Sequence, residues 1–436
     1  MTPTQQYATL EEGSPVVQFV HQGSQCAGGL VFLTPRDSAT GMARGMILDA
    51  NGTLVWNQTE SLRGLNQRIQ HLKAQKYRGE TYLTYWMGNN ELDPPVGAGY
   101  MLDNSYRERH QIQPVGYPAA DKHEFHVTQD GTAIVIVYSP VLEDLSPVGG
   151  TSGWVLDGIF QEIDIETGAL LFEWYALQHF PLNTTFHDLD SCGHRRCGSD
   201  PSTAFDFFHI NSMDKTPTGD YLISSRHTHS VISIDASSGA VQWHDARWRV
   251  PDMITLFNNS AKAENDRMPE ARGIALKADV PAHQVWLQAF YRHPSHLKSG
   301  SRGNVDILPS GNFLVGWGHS AAYTEYTADG TTILFSTHFS PFILFSVELT
   351  NSYRIFKDSG VGQPLTDPPA VVVGRQVFVS WNGATEVARW RLEVLDGSDQ
   401  LTFHPVVTVP RQSFETAIAL PSGYEASKFR APLIVM

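Results

Sequence analysis

Basic side chains stand at the ends of predicted strands in this chain. In the segment "SSRHTHSVISIDASSGAVQW" (224–243), Arg226 and His227 occur where one strand ends. His244 and Asp245 directly follow the next strand. Imidazole serves as a nucleophile or base near neutral pH, and guanidinium binds anionic oxygens with paired hydrogen bonds. These residues therefore predict a site for an oxygen-rich organic molecule.

Other segments supply candidate residues at the corresponding ends of their predicted strands. His209 precedes a strand, and Arg302 occupies the corresponding place in a later segment. We predict six catalytic residues: Arg302, His244, Asp245, Arg226, His227 and His209. The predicted substrate-binding residues are Trp317, His319, Arg247, Glu124, Trp381, Asn382 and Thr385. Aromatic faces in this second set would stack on a planar ligand.

A repeated two-part pattern must position these side chains. A strand follows a glycine turn, as in "PTGDYLISS" (217–225). A hairpin built on an Asp-x-x-x-Gly or Asp-Gly turn comes next, as in "VISIDASSGAVQW" (231–243). Glycine supplies the positive φ of such turns, and β-branched and aromatic neighbours favour strands. Helical periodicity is brief and confined to residues 60–73, which could also be a loop.

Six such pairs along the chain predict an all-β, six-bladed β-propeller with a central substrate pocket. A seventh blade around residues 272–288 and a pair of β-sandwiches are the alternatives. We expect an N-terminal segment over residues 1–27 and one propeller domain over 28–420. Residues 421–436 would form a tail that closes the propeller. Strand ends from several blades meet at the axis of a propeller, which would bring the candidate residues together.

Composition narrows the function further. The 436 residues have 41% hydrophobic content and a net charge of −14, which favours a packed core and argues against nucleic acid as a partner. No apolar run reaches membrane-spanning length. The chain has neither a P-loop nor a G-x-S-x-G elbow, and no H-E-x-x-H motif for a metal. We expect no cofactor and no metal; the partners would be small molecules, and the oligomeric state is open.

Cysteines and sequons point to the secretory pathway. Cys192 and Cys197 lie in a short polar loop where a disulfide is plausible, with zinc bound by these cysteines, His187 and His194 as the alternative. Four N-x-S/T sequons predict glycosylation at Asn51, Asn57, Asn183 and Asn258. We expect that the native signal peptide is absent from this chain and that a start methionine replaces it.

Several phrases resemble the fungal branch of the arylsulfotransferase-like family. They include "FFHINSMDKTPTGDYLISSRHTHSVISID", "WHDARW", "LPSGNFLVGWG", "VSWNGATEVARW", "DKHEFHVTQDGTAIVIVY" and "NSYRIFKDSGVGQP". The resemblance covers about residues 28–420. It implies a six-bladed propeller in a secretory compartment. Members of the family move sulfate between phenols without a nucleotide donor, through a histidine nucleophile.

One group within this family resembles the intermolecular hetero-Diels–Alder enzymes of tropolone–sesquiterpenoid biosynthesis. There a tropolone quinone methide adds across an alkene of a macrocyclic terpene. This sequence lacks the long loop usual after Trp243, has Arg302 in an often neutral segment, and lacks the usual tryptophan in "DSGVGQP". These departures reshape the pocket mouth and favour the natural-product activity. We therefore predict a [4+2] cycloaddition between an aromatic and a terpene substrate.

Three functions remain open from the residues themselves. In cycloaddition, positioning of two substrates supplies most of the rate, Arg302 or His244 donates to the dienone oxygen, and Asp245 assists loss of water. In aryl sulfotransfer, a neutral histidine attacks sulfur while basic groups hold the sulfonate oxygens. The nucleophile would be His209, His227 or His244, and the clamp Arg226, Arg247 or Arg302. The third alternative is a propeller that binds a ligand without chemistry.

Overall fold

A computed structural model describes most of the chain. Strands dominate it, with short 3₁₀ helices at Ser146–Val148, Ala176–Gln178, Leu182–Thr184, Pro201–Thr203 and Gly318–Ser320. The described residues are 2–23, 26–37, 42–58, 67–89, 92, 94–189, 197–216, 218–244, 253–259, 270–279, 284–341, 344, 349–395, 402–424, 429–430 and 433–435. Within these ranges there is no helix with the length and hydropathy needed to span a bilayer.

The strands are numbered in chain order. Those of the N-terminal half are β1 (Thr4–Gln5), β2 (Ser14–Pro15), β3 (Gln18–Gln22), β4 (Leu30–Asp37), β5 (Met42–Ala43), β6 (Met46–Leu48), β7 (Leu54–Asn57), β8 (Gln67–Tyr77), β9 (Glu80–Asn89), β10 (Val96–Leu102), β11 (Glu108–Ile112), β12 (Phe125–Val127), β13 (Thr132–Asp144), β14 (Ser152–Asp164), β15 (Leu170–Tyr175), β16 (Ile210–Lys215), β17 (Tyr221–Ser225), β18 (Ser230–Ile234) and β19 (Val241–His244).

Fifteen further strands follow in the described C-terminal part of the chain. They are β20 (Met253–Asn258), β21 (Arg272–Asp279), β22 (Gln284–Arg292), β23 (Asn304–Ile307), β24 (Phe313–Gly316), β25 (Ala322–Tyr326), β26 (Ile333–His338), β27 (Thr350–Asp358), β28 (Ala370–Val373), β29 (Gln376–Ser380), β30 (Val387–Leu395), β31 (Phe403–Pro410), β32 (Glu415–Ala419), β33 (Phe429–Arg430) and β34 (Leu433–Val435).

Antiparallel sheets follow one another along the chain. The orders are β11-β10-β9-β8, β12-β13-β14-β15, β16-β17-β18-β19, β20-β21-β22 and β23-β24-β25-β26-β3. Except for β3, which pairs with β26, neighbours in each of these sheets are also neighbours in sequence, as expected for hairpins joined by short turns. The all-β prediction is confirmed, whereas a count of six blades and a closed ring stay predictions.

The hairpin turns have the chemistry that the sequence predicts. Between β14 and β15, the Gly168 N–H donates to the carbonyl of Asp164, and Gly168 has φ +69°. Between β18 and β19, the Gly239 N–H donates to Asp235, and Gly239 has φ +72°. The aspartate side chains also accept backbone N–H groups from their own turns. These local bonds fix the strand register without help from the rest of the fold.

A second sheet, like the one in which β26 pairs with β3, joins segments that are distant in sequence. Its order is β27-β4-β6-β7, with β5 also paired to β4. Ile355 of β27 pairs with Leu33 of β4, although more than 300 residues separate them in sequence. All of β27 except its last residue is buried. This pairing depends on long-range closure, which local sequence patterns do not encode.

Residues 370–435 form two further sheets. These are β28-β29-β32 and a sheet in which β30 pairs with β31, β33 and β34. Their buried apolar side chains, among them Val379, Trp390 and Ile418, make a core cluster of their own. The sequence assigned residues 369–395 to a repeat like the others, and the domain limits at 28 and 420 stay predictions.

One local prediction is wrong, and the prediction of an additional blade around residues 272–288 stays a prediction. Residues 67–73 belong to strand β8, so the helical interpretation of 60–73 is wrong over its described part. The apolar positions that suggested a helix are divided by a bulge at 71–72, where the register against β9 shifts. Residues 272–288, considered as an extra blade, supply β21 and part of β22 of a three-stranded sheet.

We expect Ile355→Ala to destabilise the protein strongly. Ile355 is 1% exposed and belongs to the largest core cluster, so truncation leaves a cavity between sheets. The free energy of unfolding should fall by about 2–5 kcal/mol in a urea titration. Leu171→Ala, at a side chain that is 54% exposed, should change it by less than about 0.5 kcal/mol. Equal effects of the two substitutions would show that β27 is not part of the core.

Candidate functional site

A cluster of imidazole rings lies where the sheets β12-β13-β14-β15 and β16-β17-β18-β19 approach one another. The ring centroids of His123 and His209 are 4.7 Å apart, and those of His209 and His227 are 5.0 Å apart. The ring of His187 stacks on that of His227 at 4.3 Å. We call His123, His187, His209 and His227 the histidine cluster. Two of its members, His209 and His227, were predicted from strand-end position.

The orientation of three rings is fixed by oxygen acceptors. His123 Nδ1 lies 2.5 Å from a carboxylate oxygen of Asp121. His209 Nδ1 lies 2.5 Å from the carboxylate of Asp206, and His227 Nδ1 lies 2.5 Å from the backbone carbonyl of the same residue. Since a carboxylate or carbonyl oxygen only accepts, we assign the proton to Nδ1 in each ring. The lone pair of each neutral ring is then on Nε2.

Burial keeps two of these rings uncharged. It lowers the pKa of His123 to about 4, although Asp121 opposes the shift. It lowers the pKa of His227 to about 3. A neutral imidazole retains the lone pair that a nucleophile or base needs. Both side chains are therefore in the reactive protonation state at neutral pH.

His209 is held in a conformation that is uncommon for its residue type. Its φ is +57°, in the left-handed region, directly before β16. The backbone carbonyl of His209 accepts from the N–H of Arg226, and Phe208 accepts from the N–H of His227. These bonds join the start of β16 to the end of β17. Residues in strained backbone regions concentrate at functional sites, because surrounding structure must enforce them.

A buried carboxylate beside the cluster binds three basic residues. Glu124 lies 2.7 Å from Arg354 Nη1, 3.3 Å from Lys73 Nζ and 3.6 Å from His71 Nδ1. Burial favours the protonated acid, but Lys73 and Arg354 outweigh it and hold the pKa of Glu124 well below its ordinary value. Burial and the charge of Arg354 lower the pKa of His71. We call this group the Glu124 hub.

Arg354 extends the hub across sheet boundaries. Its Nη2 donates to the carbonyl of Asn211 at 2.8 Å and to that of His123 at 3.3 Å. Arg354 is on β27, while its partners lie on or next to β12 and β16, and Lys73 is on β8. One guanidinium thus fixes strands from four sheets relative to the histidine cluster.

Arg302, predicted as a catalytic residue, lies beside Tyr353 at the edge of this region, and its catalytic role stays a prediction. It precedes β23 with φ +66°, and its positive charge acts on Tyr353 of β27. The ring of Tyr353 is 5.0 Å from that of His71 and 6.2 Å from that of His123. Arg302 and Tyr353 line a cavity together with Arg36 and Arg68 and other residues of β4, β8 and β27. His319 is near the same loop, with Nδ1 3.3 Å from Ser301 Oγ.

Four predicted substrate-binding residues serve the fold instead. Trp317 is fully buried and its indole donates to Thr324, so it is a core residue. Glu124 is buried in the hub. Asn382 bonds the backbone of Asn57, and Thr385 bonds that of Gly362.

Other predicted residues are placed only in part. The indole of half-buried Trp381 donates to the carbonyl of Thr366. Arg226 is exposed and reaches the cluster through its backbone N–H. The backbone of His244 pairs with Ile232 in β19, and its side chain lies outside the described structure. Asp245 and Arg247 lie outside the described residues altogether.

Asp206, His209 and His227 could together hold a metal ion. One ligand atom from each lies within 4.8 Å of the others. Imidazole and carboxylate are common ligands of divalent transition metals. Asp206 and His209 share a hydrogen bond in this arrangement, which a metal would have to replace. The expectation of a metal-free site stays a prediction.

The structure bears differently on the predicted disulfide and on the predicted glycosylation sites. Cys192 and His194 lie outside the described residues, so a disulfide to Cys197 and the zinc alternative stay predictions. Asn51 and Asn183 are exposed, and Asn258 is half-buried at the end of β20. Asn57 is the last residue of β7 and is 0% exposed, which leaves no room for a glycan. The predicted glycosylation at Asn57 is therefore wrong.

Sequence reasoning missed the partners that orient the cluster. These are Asp121, Asp206, His71, Lys73, Tyr353 and Arg354. Two of them had a detectable signal, because an aspartate precedes the histidine by two or three residues in "DKH" and "DFFH". His71 had none, since its bulge lies in a segment that reads as helical. Arg354 becomes visible only when β27 is paired with β4.

We expect Arg354→Met to destabilise the fold by about 3–5 kcal/mol, because it leaves the Glu124 carboxylate buried with one cation fewer. The measurement is the free energy of unfolding from urea titration. Arg109→Met is the matched control, since Arg109 is about half exposed and pairs with Asp103 at 3.9 Å; it should cost less than about 1 kcal/mol. The loss of stability in Arg354→Lys should lie between the losses in Arg354→Met and Arg109→Met. A loss below about 1 kcal/mol for Arg354→Met would contradict the role of the hub.

We expect His227 to contribute to acid sensitivity. An unfolded histidine titrates near 6.5, whereas the pKa of His227 is about 3 in the folded chain. Between these values the unfolded state binds more protons, so stability falls as the pH falls. From about pH 6.5 to 4.5, wild type should lose about 2 kcal/mol more than His227→Asn. Parallel unfolding curves at the two pH values test this, and identical losses would refute it.

Comparison with known proteins places the chain among enzymes. Its likeness to solved structures is weak: a protein from Lactobacillus plantarum has 13% identity and a TM-score of 0.38, covering 93% of this chain and 100% of that one. Virginiamycin B lyase from Staphylococcus aureus has 9% identity and a TM-score of 0.31, covering 79% and 85%. None of the curated proteins matches. The family model of arylsulfotransferase (ASST) matches residues 73–338, more than half of the chain. The segment contains the whole histidine cluster, and the chain belongs to the arylsulfotransferase family.

Proposed function

We propose that the protein transfers a sulfuryl group between aromatic hydroxyl groups, with His209 as the nucleophile. The observation that carries this is the pair of His209 and Asp206, in which Nδ1 is bonded to the carboxylate and Nε2 keeps its lone pair. His209 also contacts both other oriented rings, so it has the most central position in the cluster. Nucleophile, base and orienting carboxylate are the parts that covalent catalysis requires.

The reaction has two steps that balance. In the first, His209 Nε2 attacks the sulfur of an aryl sulfate, an N–S bond forms, the S–O bond to the donor phenol breaks, and the donor leaves as a phenolate that takes its proton from solvent. In the second, the hydroxyl oxygen of the acceptor phenol attacks the same sulfur, the N–S bond breaks, and the acceptor proton passes to a neutral histidine. His123 and His227 adjoin His209 and can hold that proton.

Local charge favours this chemistry. The hub contains two cations, Lys73 and Arg354, and one anion, Glu124, so it supplies one net positive charge, while the carboxylates of Asp121 and Asp206 lie on the Nδ1 side of the rings, away from Nε2. The three oxygens of a sulfonate develop and keep negative charge throughout the transfer. A fixed positive potential near the reacting group stabilises it without reorganisation of solvent. Asp206 likewise stabilises the positive charge that appears on His209 when Nε2 forms a bond.

Cycloaddition has less support. That prediction assigned roles to His244 and Asp245, whose side chains lie outside the described structure. The family match favours sulfuryl transfer, and no described contact favours a diene and an alkene over an aryl sulfate. A purely ligand-binding function would leave the three Nδ1 tethers and the neutral rings without a use. We therefore prefer the sulfotransferase hypothesis.

The finer architecture and location are also proposals. We infer that the sheets from β4 to β27 are blades around a common axis, because β27 pairs with β4 and Arg354 contacts residues of neighbouring sheets. A secretory location is supported by the exposure of Asn51 and Asn183, at which glycans have room. Fungal origin rests on the sequence resemblance alone.

We expect His209→Asn to lower kcat/KM at least about 10³-fold with p-nitrophenyl sulfate as donor and phenol as acceptor. Asparagine tolerates the left-handed backbone but cannot form the N–S bond. His296→Asn is the matched control. His296 also has positive φ and pairs with a carboxylate, Glu270, but its side chain is 77% exposed and lies outside the cluster. It should keep wild-type activity.

A second measurement identifies the intermediate directly. Donor without acceptor should add the mass of one SO₃ group to the wild-type chain and to His296→Asn, but not to His209→Asn. Should the label remain in His209→Asn and vanish in His123→Asn, the nucleophile is His123 and the assignment to His209 fails. Should no aryl sulfate react or label the wild type, the proposed function fails.

A further inference from the structure

Part of the histidine cluster has the composition of a transition-metal site. One carboxylate oxygen of Asp206 and one ring nitrogen each of His209 and His227 lie within 4.8 Å of one another. Nitrogen and oxygen ligands at about 2.1 Å from a tetrahedral Zn²⁺ are about 3.4 Å apart from each other. Shifts of about 1 Å in these side chains would therefore close the set around one ion.

The sheet β16-β17-β18-β19 and the segment before it hold all three ligands. His227 Nδ1 lies 2.5 Å from the backbone carbonyl of Asp206, and the His227 N–H donates to the carbonyl of Phe208. The carbonyl of His209 accepts from the N–H of Arg226. These contacts connect the segment before β16 with the residues after β17. The spacing of the ligands is therefore fixed locally and does not depend on the contacts between sheets.

The bond between Asp206 and His209 is compatible with an ion. His209 Nδ1 lies 2.5 Å from the carboxylate, with one proton between them. Metal ions bind the deprotonated ligand atom, so a cation at this place competes with that proton. A carboxylate has about four lone-pair positions, so Asp206 can bind an ion and keep a further hydrogen-bond partner.

The ligand types select a class of metal. Two imidazoles and one carboxylate suit Zn²⁺ and its transition-metal neighbours, whereas Mg²⁺ and Ca²⁺ prefer shells made mostly of oxygen. Three protein ligands leave the fourth tetrahedral position for water. The side chain of His209 is 13% exposed and His227 is half-buried, so an ion can enter from solvent.

We propose that Asp206, His209 and His227 bind a divalent transition-metal ion such as Zn²⁺, and that the bound ion blocks sulfuryl transfer. The blocking rests on the proposed function, in which His209 Nε2 is the nucleophile, whereas the binding does not. An ion on Nε2 occupies the lone pair that attacks sulfur. An ion on Nδ1 leaves the proton of the neutral ring on Nε2, which again removes that lone pair. The ion is thus an inhibitor, and the enzyme acts in its metal-free state.

Calorimetric titration of the chelator-treated full chain with ZnCl₂ measures the binding. We expect one ion at the cluster, and no binding of MgCl₂ at the same concentration. His227→Asn and Asp206→Asn should each raise the Kd for Zn²⁺ at least about 10-fold. His296→Asn is the matched control, because it removes an imidazole that is paired with the carboxylate of Glu270 outside the cluster. It should leave the Kd unchanged.

Inhibition is measured with p-nitrophenyl sulfate as donor and phenol as acceptor. At free Zn²⁺ of about ten times the calorimetric Kd, the rate should fall about 10-fold, because about one enzyme in eleven remains metal-free. The rate should return when EDTA removes the ion. Cys197→Ser should bind Zn²⁺ as tightly as wild type, since its thiol belongs to the alternative zinc site that the sequence suggested.

The outcomes separate this inference from the proposed reaction. Zn²⁺ binding at the cluster to a chain that transfers no sulfuryl group would sustain the metal site and refute the reaction. An active enzyme that binds no Zn²⁺, or stays fully active with the cluster saturated, would overturn the inference. A Kd that rises in Cys197→Ser and not in His227→Asn would place the ion at the cysteine loop and also overturn it. Thermal unfolding of each variant shows that a lost site is not a lost fold.

Discussion

The buried ion pair between Glu124 and Arg354 sets the geometry on which the site depends. A carboxylate that is 4% exposed stays ionised only if cations surround it, and here Arg354 and Lys73 do so from other sheets. The guanidinium then has donors left for two backbone carbonyls, one of them on His123. Removal of either charge would leave the other buried, so the contact constrains where four sheets can lie.

The same charges prepare the chemistry. Each oriented imidazole has its own acceptor at Nδ1, so no ring needs to rotate before Nε2 reacts. Burial lowers the pKa of His123 and His227 and keeps both rings neutral, and a positive charge on the neighbouring His209 would lower these pKa values further. An anionic substrate would bring the negative charge that balances the net positive charge of the hub. Preorganised dipoles and charges of this kind lower a barrier more than groups that must move into place.

Sequence alone predicted the parts of this structure that depend on local interactions. The hairpins at Gly168 and Gly239 follow from turn chemistry, and the positions of His209, His227 and Arg302 follow from the phase of the repeat. The sequence did not predict the long-range pairing, because no residue near Arg354 indicates that β27 pairs with β4. Trp317 was misjudged because a strand-end indole that caps a core looks the same in sequence as one that faces a ligand.

Two polar regions of different composition lie on either side of the Tyr353 ring. Around the histidine cluster the carboxylates Asp121 and Asp206 accept hydrogen bonds from the imidazoles, which orient the rings without neutralising the carboxylates. Across Tyr353 the arginine cavity has no described carboxylate in its lining. A neutral, buried tyrosine ring separates them, and the positive charge of the guanidinium groups stays on the side of the cavity.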